Sequence, residues 1–242
     1  MSPKLDIVTF STLANRLDAI VRESMQVCVQ SARSSTIQAR DLSASITDNN
    51  AQLISIAQGL PVHVLTSNMS IAPIMDMFDD IAPGDCFINN TPFLGCAHHA
   101  DFCFCTPVFY NNKLMFWVML RAHQADTGAS VPTVYLPFGK DVYEEGMHLP
   151  CVRVQRNYKD VDDVVRLMMS NIRVSEQFYG DFAATVGATR IAERRLLTLI
   201  DKYGPDIVEQ FSQEWLDYGS RRMVKEIKSL PEGTWEHETS LD

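Results

Sequence analysis

Long apolar runs are missing from this sequence of 242 residues: no stretch approaches the about 20 consecutive apolar residues of a membrane-spanning helix. The opening Met-Ser-Pro-Lys-Leu-Asp also lacks the basic start and apolar core of a secretory signal, so a soluble, cytoplasmic protein is the expectation. Basic charge is scarce. A net charge of −9 argues against a nucleic-acid surface or an anionic-membrane surface, because either needs a concentrated basic face. The richest basic clusters, Arg190/Arg194/Arg195 and Arg221/Arg222/Lys225/Lys228, lie in helix-like segments diluted by acids and read as solvated helix faces. No Walker-type Gly-rich loop occurs, and there is no repeat, low-complexity tract or clear linker. The six cysteines have none of the spacing of a small secreted disulfide framework and read as reduced, mostly buried thiols.

What is present is enough apolar material, 46% of residues, to bury a substantial core in one large domain or two modest ones. Apolar residues at helical intervals predict helices over about 9–32, 70–79 and 160–169, one ending at Tyr203, and one over 207–227. Short alternating runs at 41–47 and 52–57, split by Asp48-Asn49-Asn50, predict a hairpin with Asp41 at its start. Cys86–Asn89 reads as a strand feeding an irregular loop that delivers His98. Residues 127–145, rich in Gly, Ser, Pro and acids, form a long excursion able to cover a site. Residues 230–235 resemble a turn entering a strand, and a strand with no following partner points to a fragment or a processed subunit.

The most informative pattern is Asp41 followed by two copies of His-x-x-Asp, His98/Asp101 and His123/Asp126. The copies flank apolar runs 102–110 and 114–122 around Asn111-Asn112-Lys113, a predicted β-hairpin. If Asn112 centres the turn, paired residue numbers sum to 224, which sets Asp101 opposite His123 and His98 opposite Asp126. Opposed residues have Cβ atoms about 4.5–5.5 Å apart, close enough to share one ion. Mixed imidazole and carboxylate donors suit Mn, Fe, Zn or Ni better than calcium or a structural zinc. The same residues also read as ordinary strand-end caps, and a one-residue bulge would break the pairing. Cys103 and Cys105 read as strand core, and no single cysteine is marked out as a nucleophile with His98 or His99 as its base.

The order of these motifs resembles the hydantoinase B/oxoprolinase family nearly end to end. The resemblance is carried by Ala14-Asn15-Arg16-Leu17-Asp18-Ala19-Ile20, Arg40-Asp41-Leu42-Ser43, Leu60-Pro61-Val62-His63 and Pro83-Gly84-Asp85. It continues through Asn90-Thr91-Pro92-Phe93-Leu94-Gly95, His98-His99-Ala100-Asp101 and Arg121-Ala122-His123-Gln124-Ala125-Asp126-Thr127-Gly128. Glu144-Glu145-Gly146, Asn171-Ile172-Arg173, Gly180-Asp181 and Tyr203-Gly204 fall at similar landmarks. Three departures stand out. Thr91 replaces the Asp of the family's Asn-Asp-Pro, Gln124 stands where many cyclic-amide members have a second His, and Gly128-Ala129 replaces Gly-Gly.

The resemblance implies a divalent metal, Mn, Zn or Fe, held by Asp41, His98, Asp101 and His123, with Asp126 in or beside the shell. Asp126 or Asp41 would act as base, and His63 is a candidate substrate contact. It also implies a hetero-oligomer in which a hydantoinase A-like, ATP-binding partner phosphorylates a cyclic amide that the metal subunit then hydrolyses. The absence of a Gly-rich phosphate loop here fits that division of labour. Two alternatives stay open, a metal subunit of an acetone/acetophenone-type carboxylase acting on a ketone and a scaffold without turnover. His148 and His237 have no company in the sequence. The expected fold class is α+β, with antiparallel strands around the metal hairpin and several amphipathic helices, in a single domain over 1–242 that forms the N-terminal part of a longer architecture.

Overall fold

The computed structural model describes residues 4–132 and 135–240. Residues 1–3, part of the leader reading, Thr133 and Val134 within the 127–145 excursion, and 241–242 lie outside the described residues. The first helix, α1 (Ile7–Ser31), begins where Asp6 Oδ1 accepts from the Val8 and Thr9 N–H groups, each at 3.0 Å, and so caps its free donors. There follow α2 (Ser35–Gln38), β1 (Leu42–Asp48), β2 (Leu53–Ala57), α3 (Val62–Thr66), α4 (Ala72–Met77), β3 (Cys86–Asn89), β4 (Asp101–Tyr110) and β5 (Lys113–His123). The chain continues through β6 (Val152–Arg156), β7 (Lys159–Asp160), α5 (Asp162–Asn171), α6 (Ser175–Tyr203) and α7 (Pro205–Lys228). Among the described residues no helix is long and apolar enough to cross a membrane.

The strands form one sheet in the order β2-β1-β5-β4-β3-β6-β7, antiparallel throughout, so the fold is α+β. Alternation along each strand sends successive side chains to opposite faces. One face presents Leu42, Ala44, Ile46, Phe116, Val118 and Leu120 to α1, α6 and α7, and Phe102, Phe104 and Ile88 to α5 and α6. The other carries Ser43, Asp101, Cys103, Cys105, Trp117, Arg121 and His123, and is covered by the segment containing α3 and α4, where Ile71 and Ile74 pack on Phe87 and Trp117.

The central hairpin reaches the expected register by a different route. Its turn has two residues, Asn111 and Asn112, both with positive φ (48° and 63°), and Tyr110 pairs with Lys113. That geometry suits Asn, whose short side chain tolerates the left-handed region. Near the turn paired numbers sum to 223. A bulge then leaves Met115 unpaired, because Phe109 faces Leu114 while Val108 faces Phe116. Beyond the bulge the sum is 224, and Asp101 faces His123.

Other expectations need correction. The 70–79 helix is only Ala72–Met77, and the chain adds α3, β6 and β7 to the expected elements. Residues 230–235 enter no strand, and residues 230–240 are exposed. Arg190 is no solvated helix residue: it donates to Gly84 O, Asp85 O, Gln155 and Glu193 and ties α6 to the β3 end of the sheet. All six cysteines are free and buried.

Candidate metal centre

One end of the sheet brings the ligand candidates together through backbone contacts. His123 N donates to Asp41 O at 3.0 Å just ahead of β1, and Gln124 N donates to Ala100 O at 2.9 Å just ahead of β4. Arg40, with φ of 69°, turns the chain out of α2 so that Asp41 arrives beside β5. His63 comes from α3, which reaches the sheet because Gly59 passes directly against β1: a Cβ there would lie 2.0 Å from Leu42 O. Gly95, with φ of 89° and no room for a Cβ against Met69, shapes the loop that delivers His98.

Asp101 lies at the centre and is 1% exposed. Its Oδ1 is 3.1 Å from His98 Nε2 and 3.2 Å from His123 Nδ1, and its Oδ2 is 3.1 Å from His63 Nε2. Asp41 Oδ2 is 3.8 Å from His123 Nδ1. The donors form two overlapping groups, His98/Asp101/His123 and Asp41/His63/Asp101. His63 Nδ1 lies 2.8 Å from Ser43 Oγ, which fixes the ring and turns Nε2 toward the centre. Although burial opposes its ionisation, the hydrogen bonds of His123, His63 and His98 hold the Asp101 carboxyl far below the usual range. Burial likewise opposes charge on His98, but Asp101, with Asp41 and Glu145 nearby, raises it above the ordinary histidine value.

This donor set fits a divalent ion. Three imidazoles and two carboxylates converge, calcium's all-oxygen preference is not met, and no thiolate takes part. Asp41 Oδ1 is buried without a hydrogen-bond partner, the kind of deficit an ion would relieve. Access is from one side only: Asp41 and His98 each keep 32% of the side chain exposed, whereas Asp101 and His63 keep 1%. Tyr135, from the 127–145 excursion, sets its ring 5.8 Å from that of His98.

Sequence reasoning and geometry part at three residues. Asp126 joins neither donor group, because its carboxylate accepts from Arg173 N, Arg173 Nη1 and Gly128 N at 2.8–3.1 Å. The ladder ends at Asp101/His123, so His98 and Asp126 are never paired. His63, expected to face substrate, is instead buried against Asp101. His148 does have company: its Nε2 contacts Thr91 Oγ1 and its ring packs edge-on to His99, 5.1 Å away. His99 is held below the ordinary histidine value by burial first and by His148 second. Gln124 is buried and donates to Ala122 O, away from any ligand role.

Deeper on the same face, buried Arg121 donates to Cys103 Sγ at 3.1 Å, to Ser70 Oγ at 2.9 Å and to Thr66 Oγ1. Burial raises the Cys103 thiol, but the Cys96 thiol and the Arg121 guanidinium outweigh it and bring Cys103 below the usual cysteine value. Nothing in the sequence marks this cluster except the alternation that puts residues 103 and 121 on the ligand face.

Comparison with known proteins gives the family and the fold. The family model for hydantoinase B/oxoprolinase matches residues 6–242. The beta subunit of the caprolactamase of Pseudomonas jessenii is 31% identical over 95% of this chain and 40% of its own length. The crystal structure of the ATP-dependent caprolactamase from Pseudomonas jessenii superposes with a TM-score of 0.87 at 31% identity over 96% of this chain and 40% of that one. One subunit of a putative D-/L-hydantoinase of Pseudomonas sp. (strain NS671) is 28% identical over 99% of this chain and 42% of its own. The acetophenone carboxylase delta subunit of Aromatoleum aromaticum is 26% identical over all of this chain and 36% of its own. The chain therefore spans about two-fifths of the length of these relatives.

Proposed function

Since the chain belongs to the hydantoinase B/oxoprolinase family, we propose that it carries the metal site of an ATP-dependent cyclic-amide hydrolase of the hydantoinase/oxoprolinase type. In this reading an ATP-binding, hydantoinase A-like partner subunit phosphorylates the amide, and this chain hosts its hydrolysis. The observation that carries it is the convergence of Asp41, His63, His98, Asp101 and His123 at one end of the sheet. Further support comes from the names of the caprolactamase and hydantoinase relatives, each a subunit of a larger enzyme, and from the absence of a Gly-rich phosphate loop in this sequence.

A divalent ion, when bound, supplies Lewis-acid polarisation of a carbonyl oxygen and acidifies water. Asp41, His63, His98, Asp101 and His123 would hold it. Asp101, locked between three imidazoles, keeps its charge and orients the rings. Asp41 is the carboxylate open to solvent: with Oδ1 buried, Oδ2 is the atom left to take a proton from an attacking water. Asp126 is withdrawn from that task by Arg173. Tyr135 shelters His98 on the open side and limits stray water there.

A second reading, a ketone carboxylase, is favoured by Thr91 and Gln124, which depart from the commonest cyclic-amide pattern, and by the acetophenone carboxylase relative. The test is elemental mass spectrometry on the purified chain beside Asp101→Ala and His123→Ala, followed by assays with ATP and the partner subunit on lactams, hydantoins and 5-oxoproline, and on ketones with bicarbonate. Stoichiometric Mn, Zn or Fe that is lost in both variants, with amide hydrolysis, is the expected result. Carboxylation without hydrolysis selects the second reading. A wild-type chain that stays metal-free when supplied with these ions favours the scaffold and overturns both.

A further inference from the structure

Behind the ligands, the Sγ atoms of Cys96 and Cys103 lie 3.5 Å apart, both residues buried. Among the described residues no other two cysteine sulfurs are in such contact. Their positions tie them to the metal centre: Cys103 follows Asp101 by two residues on β4, and Cys96 precedes His98 by two residues in the loop after Gly95. Ser70 Oγ sits 3.8 Å from Cys96 Sγ and 3.7 Å from Cys103 Sγ. Arg121 has no carboxylate among its described hydrogen-bond partners, and its Nε–H points at the Cys103 sulfur. That contact, at 3.1 Å, holds the Cys103 sulfur facing Cys96.

We infer that Cys96 and Cys103 form a modification site for hydroperoxides, a dithiol that closes to a disulfide and thereby displaces the loop carrying His98. In the first step the Cys103 sulfur attacks one peroxide oxygen, the O–O bond breaks, and a sulfenic acid and one water result. In the second the Cys96 thiol attacks that sulfur, an S–S bond replaces the S–O bond, and a second water leaves. Two thiols and one H₂O₂ thus give one disulfide and two waters, with the peroxide reduced by two electrons. Forming the bond brings the sulfurs from 3.5 Å to about 2.05 Å. Cys103 is pinned in the ladder between β3 and β5, so the movement falls on the Cys96 side, where the chain is irregular from Gly95 to Ala100. Drawing the Cys103 sulfur toward Cys96 also weakens the hydrogen bond it accepts from the Arg121 Nε–H, loosening the arginine that holds Thr66 and Ser70 over the sheet.

Only the metal readout of the test rests on the proposed function. The full chain is treated with graded H₂O₂ under native conditions and mapped without reduction, with cleavage before Asp101 to separate the two cysteines. Hydrogen exchange over residues 90–101 and bound metal are measured in parallel. The expected result is a Cys96–Cys103 cross-link reversed by dithiothreitol, a several-fold change in exchange over 90–101, and a several-fold loss of bound metal. Cys96→Ser, or Cys96→Ala should the serine variant fail to fold, abolishes all three responses, while Cys28→Ser keeps them. Absence of the cross-link in the folded chain overturns the inference, as does a cross-link that leaves exchange over 90–101 unchanged. If the untreated chain holds no metal, the metal reading fails by itself, and the cross-link and exchange still decide this one.

Discussion

The two faces of the sheet are equally hidden from water but hidden under different materials. Beneath α1, α6 and α7 lie Leu120, Val118, Phe116 and Ile46, whose contribution follows apolar area at about 25 cal/mol per Å² and depends little on direction. Beneath α3 and α4 lie Ser43, Asp101, Arg121 and His123, met by His63 from α3, where every donor needs an acceptor at a fixed place and an unmet group costs about 1–3 kcal/mol. The first face can exchange one hydrophobe for another of similar volume. The second holds its residues through partners, so its architecture is written in hydrogen bonds that run between elements distant in sequence.

Asp101→Ala probes this difference hardest. It removes the shared centre of both donor groups, and reconstituted turnover should fall by more than the roughly 10–100-fold typical of losing an outer partner of a metal site. Metal that stays bound in the folded variant would break the comparison outright. Phe182→Ala strikes the helix-covered face: urea titration should show a loss of about 3–5 kcal/mol, with metal per folded molecule unchanged. Arg121→Met, of similar length but without donors, strands Ser70 and Thr66 and should cost about 1–3 kcal/mol by the same titration. No change there would mean that the polar face tolerates apolar replacement as the other does. The smallest effect is expected from Asp126→Asn, about 1 kcal/mol in thermal melting through its weakened hold on Arg173, with metal content intact. Loss of metal in that variant would return Asp126 to the ligand shell.

The apolar face is largely legible in the sequence, because period and alternation encode burial directly, as in α1, α7 and the two central strands. The pairing of Asp101 with His123 is legible too, since a hairpin relates the two by local chain geometry. What escapes is whatever depends on a third element. His63 reaches the centre only because Gly59 slides past β1, and a single His beside a proline carries no trace of that approach. Asp126 looks like a ligand by its spacing from His123, but the partner that claims it, Arg173, comes from the turn between α5 and α6. The edge strand β7 is too short, at two residues, for alternation to announce it.

The unpaired Met115 gives the hairpin one position that can change in length without moving its open end. The two-residue turn fixes the pairing from Tyr110/Lys113 to Asp101/His123, and Met115 stands outside that ladder, about 26 Å along β5 from His123. Deleting Met115 alone would close the bulge and leave Phe109 facing Leu114, Val108 facing Phe116 and Asp101 facing His123 as before. A one-residue change within the paired part of either strand does slide the pairing and turn the side chains beyond it onto the opposite face, so single-residue variation is expected at the bulge and matched variation elsewhere. A lineage of such chains can gain or lose that one residue and still keep Asp101 beside His123.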